Sequence, residues 1–163
     1  MKEMRTAFEF GFSIKGKRRG DVGEDLVGIF KAPADMATPT YEGTPLDIDT
    51  ANDGYVKVTA DGERPEFLLT SRVNDALEDI HMYEGIIKLD ETQPDEPVTM
   101  VRFKKGAIIR TALIKDGYTP TAGDEVYYEA GELTDTDPTG DTSGVVVGEV
   151  KQVIDGRVRV LLK

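Results

Sequence analysis

The sequence has no cysteine and no tryptophan, and His81 is its one histidine. Without thiols there is no disulfide, no cysteine nucleophile and no cysteine-ligated zinc. With one histidine, a multi-histidine metal site within the chain is excluded. Long apolar runs are missing too: none approaches the ~20 residues that cross a bilayer. The opening MKEMRTAFEFGFSIKGKRRG has charge at both ends and no apolar centre, so it does not read as a secretory leader. The expected location is the cytoplasm, or something assembled there. Phosphate-cradling and dinucleotide glycine motifs are absent. Ser13, Ser71 and Ser143 have no nucleophile motif around them, and nothing marks a catalytic pair among the 31 acidic residues. The chain therefore reads as a protein without catalytic activity or cofactor.

What is present is acid, unevenly placed. The net charge over 163 residues is −11, which argues against nucleic acid as the main partner because phosphate binding needs clustered Lys and Arg. Residues 1–20 hold six basic side chains against two acidic ones, a net of +4; the remaining fourteen against twenty-nine leave −15. This marks 1–20 as a basic N-terminal arm and 21–163 as one β-rich domain. In the arm, Phe8, Phe10 and Phe12 alternate with Glu9, Gly11 and Ser13, a period-two strand pattern. Lys17, Arg18 and Arg19 follow. A strand of this kind adds to a neighbouring subunit's sheet or begins the chain's own barrel, and a solvated tail is the plain alternative. Phe8, Phe10, Phe12, Lys17, Arg18 and Arg19 are the candidate contact residues.

Beyond the arm, short apolar or alternating runs are separated by turn signals. The runs are LVGIF (26–30), GYVKVTA (54–60), GIIKL (85–89), VTMVRF (98–103), AIIRTAL (107–113), EVYYEAG (125–131), SGVVVGEV (143–150) and RVRVLLK (157–163). This predicts an all-β fold, a barrel or sandwich of short antiparallel strands. One amphipathic helix is expected around 70–81, where Val73, Ala76, Leu77 and Ile80 form a stripe, Thr70 or Ser71 supplies the cap, and His81 lies at the end. There is also an internal echo at an offset of about 60 residues, from Gly85 to Gly144 and from Val98 to Val158, as if two similar units formed the halves of one barrel. The Asp-rich stretch DTDPTGDTSG has carboxylates at alternate positions like a calcium loop. Its twelfth position is Val146 rather than Glu, and its flanks are strands, so it reads as a polar hairpin loop between two strands.

The C-terminal segment AGDEVYYEAGELTDTDPTGDTSGVVVGEVKQVIDGRVRVLLK resembles the closing segment of the capsid decoration, or cement, proteins of tailed bacteriophages. The pattern is a G-D-x-V-Y strand (Gly123, Asp124, Val126, Tyr127), a turn with Gly131, Leu133 and Thr134, and a loop with Thr139 and Gly140. A glycine-bounded strand from Gly144 to Gly148 and a final strand from Val158 to Leu162 complete it. GIIKLDETQPDEPVTMVRFKKGAII resembles the preceding segment, so the likeness covers about 83–163. The resemblance implies a small non-enzymatic β-barrel, often a homotrimer, on the exterior of the virion. Its partner would be the major capsid protein, whose neighbouring capsomers it bridges; no membrane or nucleic acid is involved. Two other readings stay open. One is a small-ligand or glycan-binding barrel using Tyr41, Tyr118, Tyr127 and Tyr128 as stacking platforms. The other is a phage tail or head-completion part.

Overall fold

A computed structural model describes residues 13–14, 26–33, 40–41, 43–70, 91–92 and 95–163. The described residues are all-β. The strands are β1 (Ser13–Ile14), β2 (Leu26–Lys31), β3 (Thr40–Tyr41), β4 (Pro45–Ile48), β5 (Val56–Val58), β6 (Phe67–Thr70), β7 (Glu91–Thr92) and β8 (Pro97–Arg102). They continue as β9 (Ile108–Thr111), β10 (Glu125–Glu129), β11 (Glu132–Thr134), β12 (Gly148–Ile154) and β13 (Arg157–Leu162). A five-stranded sheet runs β2-β8-β6-β4-β5, a six-stranded sheet runs β1-β9-β13-β12-β10-β11, and β3 pairs with β7 alone. Neighbouring strands are antiparallel throughout.

Each large sheet curls until five of its strands close, β1 standing outside the closed set of the six-stranded sheet. In the five-stranded sheet a parallel bridge joins Lys31, ending β2, to Tyr55, and Lys31 N–H donates to Gly54 O at 2.9 Å. In the six-stranded sheet Ile114 bridges Leu133, and Lys115 N–H donates to Leu133 O at 2.9 Å. The two closed barrels have the same plan. Numbered along the chain, the first barrel's strands stand in the order 1-5-4-2-3, and so do those of the second barrel, β9-β13-β12-β10-β11.

Register repeats as well. Leu46 faces Phe67 where Val126 faces Gly148; Phe67 faces Arg102 where Gly148 faces Leu162; Leu26 faces Met100 where Ile109 faces Val160. The entry to the second strand is built identically. Thr44 N–H donates to Tyr41 O and Asp124 N–H to Thr121 O, both at 3.1 Å. Gly43 N–H reaches Leu69 O at 2.8 Å and Gly123 N–H reaches Val150 O at 2.7 Å. These turns place their third residue at φ +93° and +100°, which is why both carry glycine.

The echo of Val98 in Val158 is thus a repeat of whole barrels rather than two halves of one. Both residues are buried on the last strand of their own barrel. Alternation sets the inside: Leu46, Val56, Phe67, Leu69, Val98 and Met100 fill the first barrel, and Val126, Tyr128, Leu133, Val150, Val158 and Val160 the second. Leu68, Val101 and Phe103, on the first barrel's outer face, belong to the second barrel's buried cluster, so the two share a core.

Two expectations change. Thr70 is not a helix cap but the last residue of β6, opposite Thr99; the rest of the 70–81 helix, with GIIKL, lies outside the described residues. The Asp-rich stretch does not close a hairpin. It connects β11 to β12, which lie on opposite sides of β10, because the short β11 intervenes and β12 begins at Gly148.

Candidate functional site

The acidic loop has a structural task that its geometry explains. Asp137 Oδ1 accepts from Thr139 N–H at 2.9 Å and from the Thr139 hydroxyl at 2.6 Å, and Oδ2 accepts from Gly144 N–H at 3.0 Å. Asp141 accepts from Ser143 N–H and hydroxyl. The Thr139 hydroxyl first, and then the backbone amides, hold the Asp137 carboxyl below the usual range; the Ser143 hydroxyl leads the same effect on Asp141. These carboxylates are bound to their own loop. Among the described residues no three Asp, Glu or His side chains converge to hold a metal ion.

The folded loop closes on the first barrel. The turn at Asp61-Gly62 inserts between β10 and the loop: Gly62 N–H donates to Tyr128 O at 2.9 Å and Val145 N–H to Gly62 O at 2.8 Å. Asp61 Oδ1 accepts from Ala130 N–H at 2.7 Å. A Cβ at Gly62 would stand 2.6 Å from the Thr139 methyl, so side-chain bulk is excluded there. The loop is therefore a clasp that joins the barrels.

The outward face of the second barrel is more informative. On β10, β12 and the residue after β13, Lys163 pairs with Glu125 at 2.9 Å and Glu149 at 3.4 Å, and Lys151 pairs with Glu149 at 2.6 Å. Lys115 pairs with Glu129. The matching positions of the first barrel are Leu68 for Glu149 and Phe103 for Lys163, both buried. Along β13 and β9 the outward residues are Arg157, Arg159 and Arg110, followed by the half-buried pair Leu161 and Ile108, with Gln152 and Ile154 beside the arginines on β12. The alternation R-V-R-V in β13 already encodes this: its valines point in, so its arginines point out.

The residues singled out in the sequence fall elsewhere. Phe8, Phe10, Phe12, Lys17, Arg18 and Arg19 lie outside the described residues. Of the arm, Ser13–Ile14 forms β1 and pairs with Arg110 and Ile109 of β9 in its own chain. Two of the four tyrosines are taken up by the second barrel's core. Tyr128 is fully buried in the second barrel, and burial raises its pKa. Tyr118 packs against the same cluster and donates to Asp124 at 3.0 Å. No family model and no curated protein matches the chain.

Proposed function

We propose that the chain is a structural virion protein that binds the outer surface of an expanded phage capsid and bridges neighbouring capsomers, working as a homotrimer without catalysis or cofactor. The observation that carries this reading is the decoration-protein pattern of residues 122–163. Its glycines and strand residues coincide with one barrel's turns and strands: Gly123 at the entry turn, Val126 inside β10, Gly131 between β10 and β11, Val158 and Leu162 inside β13. A cement protein works by burying surface across a seam, so that opening the seam also breaks those contacts. Two barrels sharing one core and clasped at Asp61-Gly62 support that reading as a joined block. The basic, aromatic arm supplies a further contact through Phe8, Phe10, Phe12, Lys17, Arg18 and Arg19, so deleting residues 1–20 is expected to weaken capsid binding.

Mass spectrometry with gel densitometry on purified particles from the source tests the reading. A ratio to the major shell protein near one to one is expected. A few copies per particle indicate a tail or connector part, and absence from the particle discards the virion reading.

A further inference from the structure

Arg110 and Arg159 stand directly opposite each other across the β9–β13 pair. Both point outward, because Ile109, Thr111, Val158 and Val160 take the buried side. Like charges opposed on one sheet face repel. Among the described residues no carboxylate pairs with either arginine; the Arg159 guanidinium donates to Gln152 Oε1 at 2.8 Å. Acid is not scarce in a chain with 31 Asp and Glu, and the lysines of this same barrel are paired. The repeat supplies the control. At the same register the first barrel places Val27 opposite Thr99, so the strand pair forms without arginine. The fold does not need these two cations, and holding them together costs stability.

We propose that this outward face of β9–β13 docks an acidic protein surface, with Arg110 and Arg159 receiving its carboxylates and the exposed Ile154 forming an apolar margin on the same face. Arginine suits this because its planar fork binds a carboxylate through two parallel hydrogen bonds. Nucleic acid fits less well: a phosphate backbone calls for a track of many cations, and the chain as a whole carries a net charge of −11. The inference rests on the virion reading and names the face that meets the shell.

The test is a double variant that takes the first barrel's residues, Arg110→Val with Arg159→Thr, in the full chain. Melting temperature, oligomeric state and co-sedimentation with purified heads lacking the protein are measured beside wild type. The melting temperature should hold or rise, the oligomer should persist, and head binding should weaken by roughly tenfold or more. Arg110→Lys with Arg159→Lys, which keeps charge but not the fork, should fall between. If wild type and the valine–threonine variant bind heads equally, the docking face is wrong and the virion reading stands. If wild type itself does not bind heads, the virion reading fails and the face with it. A lowered melting temperature would make the arginines part of the fold, and loss of the oligomer with head binding intact would make the face a contact between copies. Either result overturns the proposal.

Discussion

Leu68 and Glu149 occupy the same place in two barrels of one topology. Leu68 faces Pro45 and Val101; Glu149 faces Glu125 and Leu161. One is buried in the joint between barrels, the other is ion-paired at the surface. Phe103 and Lys163 repeat the contrast. Backbone pairing alone therefore does not decide which barrel covers the other; the side chains on the outer strands do. The first barrel offers an apolar face and is covered. The second presents charge on the matching face, which keeps another copy's apolar face from stacking there.

Exchanging that character should have the largest effect. Leu68→Glu puts a carboxylate into the shared core and removes a buried leucine, so urea unfolding should show a loss of at least about 5 kcal/mol. An unchanged midpoint would mean that the barrels do not depend on a common core. The interiors contrast in a second way. Phe67 fills the first barrel at the position that Gly148 holds in the second, where a Cβ would lie 2.4 Å from a Val160 methyl. Phe67→Ala should cost about 3–5 kcal/mol through the cavity it leaves. Gly148→Ala should cost about 1–3 kcal/mol through overpacking. Equal tolerance of both in thermal melts would show that the two interiors are not packed in these complementary ways.

Two strands of the second barrel, β10 and β13, were legible because each combines period-two alternation with a glycine or Asp-Gly boundary, whereas β11 reads as a turn and the SGVVVGEV run (143–150) meets β12 only at Gly148–Val150. RVRVLL ends one residue and EVYYE two residues before the runs read from the sequence, and both start where those runs start. PLDI and FLLT of the first barrel were not legible. Each is four residues long, PLDI begins with proline, and FLLT is an unbroken apolar run that ends against a helical stripe. FLLT is continuous because β6 is buried on both faces, Phe67 and Leu69 inside the barrel and Leu68 in the joint, and a strand of that kind loses its alternation. The repeat was visible at Val98 and Val158 but not as paired barrels, because the offset differs between strands. It is about 80 residues at Gly43 and Gly123 and 60 at Val98 and Val158, since the first barrel joins β6 to β8 by a long excursion where the second uses the Asp155-Gly156 turn. The arginine face was written in the alternation of β13 and the IIRT of β9, yet only the pairing of those strands shows that Arg110 and Arg159 oppose each other.

The smallest expected effect concerns the loops. In the first barrel Asp49 accepts from Ala51 N–H and the Asn52 side chain, and the Asn52 bond first of all holds its carboxyl below the ordinary value. In the second barrel Asp137 and Asp141 do the same work for the clasp. A carboxyl more acidic in the folded chain than in the unfolded one stabilises while ionised. Its contribution is complete above the unfolded value, about 3.9 for aspartate, and is lost as pH falls through the lower folded value. Hydrogen-exchange protection of the Gly144 and Val145 amides should therefore hold at neutral pH and fall in acid before that of Leu69 and Val150, whose amides bond within the barrel walls. The clasp should loosen more than the Asp49 loop, because two carboxylates, Asp137 and Asp141, hold one loop and each adds its own proton uptake. If all four amides lost protection together, the clasp would be part of the barrel's cooperative unit, and the two barrels would open as one body rather than separating first at Asp61-Gly62.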